Sequence, residues 1–122
     1  MAVKRIVANV ATERVGDAKA FYGDILGLQL VMDLGWIQTF AAGGGAAPQI
    51  SIATEGGSGT PVPDLSVEVD NLEELLQRVV DAGLPIEYGP TKEPWGVRRF
   101  FVRDPFGRLL NILAHDPADG AE

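Results

Sequence analysis

The sequence has no cysteine, one histidine, and ten lysine and arginine residues against seventeen aspartate and glutamate. Without cysteine there is no disulfide framework, no thiolate chemistry and no zinc held by sulfur. A single histidine, His115, leaves any imidazole chemistry one candidate. The net charge of −7 argues against a nucleic-acid partner, whose phosphates need clustered Lys and Arg for counterion release. No apolar run approaches the roughly 18 to 20 residues that a membrane span needs, so no membrane partner is expected. The start, Met1 to Ile6, has charges but no apolar stretch after them, and it reads as the first strand rather than a secretory signal. The cytoplasm is the expected address. What is present is 122 residues, 46% of them hydrophobic, which suits one domain spanning 1–122 with a real core.

Periodicity organises that domain. Alternation over Lys4–Ala11 predicts a strand, and Val15, Ala18, Phe21, Tyr22 and Ile25 recur at helical spacing up to Gly27, a left-handed cap. Further strands are predicted at Leu28–Asp33, Trp36–Ala41 and Gln49–Ala53, with Gly43–Gly45 a hairpin loop. After a linker-like stretch at 56–63 the pattern starts again. Leu65, Val67 and Val69 alternate with polar residues, and Asp70 or Asn71 caps a helix carrying Leu72, Leu75, Leu76, Val79 and Val80 that Gly83 closes. Strands then follow at Ile86–Tyr88, Arg98–Arg103 and Arg108–Ala114, with Asp104–Gly107 as the last turn. The helix ends Asp24-Ile25-Leu26-Gly27-Leu28 and Asp81-Ala82-Gly83-Leu84 match, so the chain is a tandem repeat. The predicted class is α+β, with βαβββ repeats at about 3–55 and 64–115 forming curved mixed sheets around a concave crevice. The polar tail from His115 on is expected to fray.

Strand alternation also separates core from site. If Ile50, Ile52, Leu65, Val67, Val69, Leu110 and Ile112 cover helices, then Gln49, Ser51, Asp64, Ser66, Glu68, Leu109, Asn111 and Leu113 face the other way. That second face is the candidate site. His115 reads as a solvated terminal residue, Glu68 as a strand-surface residue and Asp70 as a cap, so no acid–base pair is expected.

The segments Ala20-Phe21-Tyr22-Gly23-Asp24-Ile25-Leu26-Gly27-Leu28 and Asp104-Pro105-Phe106-Gly107-Arg108-Leu109-Leu110 resemble the two signature segments of the vicinal oxygen chelate superfamily. That superfamily comprises glyoxalase I, extradiol dioxygenases, and fosfomycin- and bleomycin-resistance proteins. The stretch from Glu93-Pro94-Trp95-Gly96 to Pro105 resembles the metal-free bleomycin-resistance-like branch in particular. The resemblance implies a homodimer with two equivalent pockets. It also places the family's metal ligands at Val7 or Ala8, Gln49, Asp64 and Asn111. One carboxylate and two amides match zinc, iron or nickel poorly, so neither a metal nor another cofactor is expected.

The leading expectation is therefore a binding or sequestering protein for a drug or metabolite, with no catalytic residue assigned. Its ligand would be small and aromatic or cationic. Trp36, Phe40, Tyr88, Trp95 with its neighbour Gly96, and Phe101 would form aromatic walls, while Gln38, Gln49, Ser51, Asp64, Ser66 and Asn111 supply polar contacts. Two other readings stay open: a metal-dependent glyoxalase-like lyase or dioxygenase-type enzyme, and a regulatory domain that receives a peptide or partner.

Overall fold

The computed structural model describes residues 1–44 and 47–116. Gly45 of the expected hairpin loop and the tail beyond Asp116 lie outside the described residues. Among the described residues no helix is long and apolar enough to cross a membrane. Two compact units form: Val7–Val62, and Met1–Ile6 together with the described residues from Pro63 onward. The first strand, β1 (Val3–Ala11), is thus divided between them at Ile6.

In the first unit the strands β2 (Gln29–Asp33), β3 (Ile37–Ala41) and β4 (Gln49–Ala53) join the end of β1 in the order β2-β3-β4-β1. Here β1 runs parallel to β4, Ala8 opposite Ile50, and the other pairs are antiparallel. The α-helix expected after β1 does not form. A 3₁₀ turn (Val15–Asp17) leads into a π-helical segment (Lys19–Ile25), in which the Leu26 amide donates to the Phe21 carbonyl five residues back at 3.0 Å. No side chain caps the start, and Gly16 and Gly23 weaken any helical preference, so the backbone is free to widen. Val15 and Ala18 still reach the core with Phe40 and Ile52, and Tyr22, Leu28 and Ile50 pack against them.

The second unit contains β5 (Leu65–Val69), α1 (Leu72–Asp81), β6 (Ile86–Lys92), β7 (Val97–Arg103) and β8 (Leu109–His115), with strand order β5-β8-β7-β6. Again the outer pair, β5 and β8, is parallel and the rest antiparallel. This mixed α+β arrangement, with one helical connection per half, is the architecture that periodicity predicted. Asn71 is the cap: its side-chain oxygen accepts from the Glu74 amide at 3.1 Å, while the Asp70 carboxylate accepts from the Ala2 amide at 2.7 Å. Glu74 is held below the usual carboxylate range, first by the hydrogen bond and charge of the amino terminus 2.9 Å away and then by Arg78. Leu72 and Val79 of α1 bury against Val69, Phe100, Val102 and Ile112.

Several strands start one residue from their predicted limits, and two run past their predicted ends. β6 continues past Tyr88 to Lys92 through shifts in register. Gly89 permits this, since its φ is +76° and a Cβ there would lie 2.5 Å from the Arg99 carbonyl oxygen, a position no other residue can occupy unchanged. β8 runs one residue further than predicted, to His115, which lies opposite Val97 in register.

Candidate functional site

The second unit's sheet has one face under α1 and a second face turned away from it. Val67, Leu110, Ile112, Phe100 and Val102 pack under α1, so the alternate residues of the same strands point to the opposite side. Ser66, Glu68, Leu109, Asn111 and Leu113 therefore share that side, as the alternation predicted. Cross-strand register sets Ser66 opposite Asn111, Asn111 opposite Phe101, and Phe101 opposite Tyr88. Four of the candidate residues, drawn from four strands, thus make one row across the sheet.

Within the row Asn111 is only 8% exposed, and its amide nitrogen donates to the Ser66 hydroxyl at 3.1 Å. Its carbonyl oxygen Oδ1 is buried and has no partner among the described residues. A buried acceptor left unmet costs about 1 to 3 kcal/mol, which makes Oδ1 a point for a donor from outside the chain, a water included. Next to it the Tyr88 and Phe101 rings lie 5.1 Å apart, giving the row an aromatic end.

Arg99 of β7 stands on the same side and dominates its electrostatics. The residue is 2% exposed, and its guanidinium carbon sits 5.3, 5.0 and 4.8 Å from the ring centres of Tyr88, Trp95 and Phe101. Its Nε donates to the Glu93 carboxylate at 2.6 Å, and the Tyr88 hydroxyl donates to the same oxygen at 2.9 Å. Three aromatics that sequence reasoning assigned to a ligand thus already surround a built-in cation, an arrangement favoured by the negative faces of the rings. Trp95 is carried by a tight turn in which the Glu93 amide donates to the Val97 carbonyl at 2.8 Å and Gly96 takes a φ of +88°. Sequence reasoning missed the Arg99–Glu93 pair as a site feature. Applying the same alternation to Val97, Arg99 and Phe101 would have placed Arg99 among the aromatics.

A second missed pair lies further along the same side. Glu68, 7% exposed, accepts from Arg5 Nε at 2.7 Å on one oxygen and lies 2.6 Å from His115 Nδ1 on the other. Lys4 Nζ stands 3.9 Å from that second oxygen. The expectation of a solvated terminal histidine is therefore corrected. His115 belongs to β8, held there by its pairing with Val97 and by the Asp116 amide donating to the Gly96 carbonyl at 2.8 Å. The strand's extra residue brings the ring onto Glu68, 47 positions earlier in the chain.

The remaining candidates are dispersed. Asp64 precedes β5; its amide donates to the Leu109 carbonyl at 2.8 Å and the Leu109 amide donates to the Asp64 carboxylate at 2.9 Å, so this residue closes the β5–β8 pairing. In the first unit Gln49 and Ser51 share a side of β4, and the Ser51 and Thr39 hydroxyls bond at 2.8 Å in a buried position. Phe40 lies on the other side, fully buried in the core. Gln38 follows Phe40 by alternation and donates to Asp33 at 3.3 Å, with its own Oε1 buried and without a partner among the described residues. Trp36 precedes β3, and its carbonyl accepts from the Thr54 amide at 2.9 Å.

Donor chemistry at the family's ligand positions does not fit a divalent metal. Val7 and Ala8 have no side-chain donor, Gln49 offers only a neutral amide, Asp64 is engaged with the Leu109 amide, and Asn111 offers a neutral amide tied to Ser66. Among the described residues no group of three or more His, Asp or Glu side chains is placed to hold an ion.

Comparison with known proteins agrees with this architecture. None of the curated proteins matches the chain in sequence. Among solved structures, the chain is similar to one described as NAD-dependent benzaldehyde dehydrogenase from Legionella pneumophila, with 17% identity and a TM-score of 0.72 over 92% of this chain and 100% of that one. It is also similar to methylmalonyl-CoA epimerase from Mycobacterium tuberculosis, with 19% identity and a TM-score of 0.64 over 98% of this chain and 91% of that one. A superfamily member from Vibrio splendidus 12B01 gives 20% identity and a TM-score of 0.64 over 93% and 99% of the two chains. At these identities the likeness concerns the fold alone. The profile of the Glyoxalase/Bleomycin resistance protein/Dioxygenase superfamily matches residues 4–112, and the chain belongs to that superfamily.

Proposed function

We propose that this chain is a small-molecule binding protein of its superfamily, one that captures a drug or metabolite on the side of the second unit's sheet turned away from α1, without a metal. The observation that carries this reading is Asn111: a buried amide whose carbonyl oxygen has no partner among the described residues, in line with Ser66, Phe101 and Tyr88. An acceptor waiting for a donor beside aromatic surface suits a flat ligand with an N–H or O–H group. Arg99 refines the expected charge. With its guanidinium already over three rings, those rings favour a neutral or anionic ligand over a cationic one. The metal-dependent lyase or dioxygenase reading is disfavoured by the donor set at the family's ligand positions. Exposed apolar side chains at Phe21, Ile25 and Leu26 support the homodimer that the family resemblance implies, and a cytoplasmic address is compatible with the absence of cysteine.

Thermal shift across a panel of aromatic metabolites and antibiotics tests the reading, because a ligand that binds only the folded state raises the melting temperature. Asn111→Leu should remove that rise at a modest cost to the ligand-free protein, since the unmet oxygen goes but the Ser66 hydroxyl loses its donor. A ligand shift that survives in Asn111→Leu would overturn this assignment. So would stoichiometric nickel, zinc, iron or manganese retained through dialysis.

A further inference from the structure

The pairing of His115 with Glu68 plays no part in the binding row, yet it has the geometry of an oriented base. Glu68 is buried on β5 and its two oxygens have separate duties, one receiving Arg5 Nε at 2.7 Å and the other lying 2.6 Å from His115 Nδ1. Anchored on one side by the arginine, the carboxylate holds the imidazole in one orientation. A carboxylate can only accept, so in the neutral ring the proton is drawn to Nδ1 and the lone pair is left on Nε2. The His115 side chain is 44% exposed, which keeps its outer part open to solvent and to small molecules. Lys4 and Arg5, both substantially exposed, add positive charge beside it in a protein whose net charge is −7.

We infer that His115 is a metal-free proton acceptor, positioned by Glu68, that acts on a small anionic substrate drawn by Lys4 and Arg5. In such a centre His115 touches the substrate or its attacking water, and Glu68 works through the ring. With an ester, the balanced step is simple. A water gives its proton to Nε2 as its oxygen bonds to the carbonyl carbon. The bond to the leaving oxygen then breaks, and the proton passes from Nε2 to that oxygen. No oxidant, metal or cofactor is required. This inference uses residues distinct from Asn111 and Ser66, so it stands or falls separately from the binding reading.

Two measurements on the full chain test it. Because the protein has one histidine, the ring nitrogen resonances in a ¹⁵N-labelled sample report His115 alone. A bare Nε2 and a protonated Nδ1 are expected in the neutral ring, and Glu68→Gln should shift the proton toward Nε2, because an amide can donate to Nδ1. A ring already protonated on Nε2 in the unsubstituted protein would refute the inference. The second probe is hydrolysis of the monoanionic ester 4-nitrophenyl succinate beside neutral 4-nitrophenyl acetate. His115→Gln should lower the protein-dependent rate by about a hundredfold or more, the range general-base catalysis supplies. The anionic ester should be preferred, with that preference lost in Lys4→Gln. Equal rates for His115→Gln and the unsubstituted protein would overturn the inference. If Glu68→Gln does not fold, the ring spectrum of the unsubstituted protein and the His115→Gln rate still decide the question.

Discussion

The two halves of this chain follow one plan and spend their residues differently. In the second, α1 is a capped ten-residue α-helix that buries Leu72 and Val79, and the side of the sheet turned away from it carries Arg99, Glu68, His115 and Asn111, with Glu93 reaching Arg99 from the turn after β6. In the first, the helical connection is a 3₁₀ turn and a π-helical segment with no buried residue in Lys19–Ile25, and the corresponding strands present Gln49, Ser51 and Thr39. The difference teaches that a repeat conserves the order of elements without conserving how each is stabilised. Where a cap and apolar residues at positions i, i+3, i+4 and i+7 agree, an α-helix forms. Where glycines interrupt and no cap is present, packing of a few residues such as Val15 and Ala18 is enough to keep the chain in place but not to fix its helical type.

The strongest way to break the comparison is through the ion pairs. Arg99→Met removes the partner of a carboxylate that is itself 5% exposed, and should cost roughly 3 to 5 kcal/mol in urea unfolding. The corresponding exposed pair of the first half, Arg14 with Asp17, should cost at most about 1 kcal/mol on removal. Equal losses would mean that the second half's buried charge has no special weight.

The helices come next. Leu72→Ala should destabilise by about 2 to 5 kcal/mol, because the side chain is enclosed by the second core. Ile25→Ala, at a position 72% exposed, should stay within about 0.5 kcal/mol in the monomer. A large loss at Ile25 that grows with protein concentration would instead show that this apolar side chain is covered by a second copy. The smallest effect is a gain. Gly16→Ala meets open space and has no positive φ to satisfy, so it should stabilise by about 0.4 to 1 kcal/mol, sharpening the first half toward its partner.

Much of the fold was readable because strands carry their side chains with a period of two. The same rule that put Val67 and Val69 under α1 put Ser66 and Asn111 on the opposite side, and the register confirms them as neighbours. The left-handed helix ends at Gly27 and Gly83 were readable for a local reason too, and their φ values are +77° and +75°. The site was less legible. Trp95, Tyr88 and Phe101 announced themselves as aromatics, but the cation between them depends on the β6 bulge and the Glu93–Gly96 turn bringing three segments onto one guanidinium. His115 was misjudged because its strand was read one residue short, and strand ends depend on pairing partners that local pattern does not reveal.

By itself, then, the amino-acid order determined the class, the repeat, the two faces of the second half's strands and the family, since each rests on short-range periodicity or on contiguous motifs. Only the tertiary structure decided the helical type of the first half, the enclosure of Arg99 and the union of His115 with Glu68. Those outcomes join residues far apart in the chain, and their energies arise from burial and register, which exist only once the strands are paired.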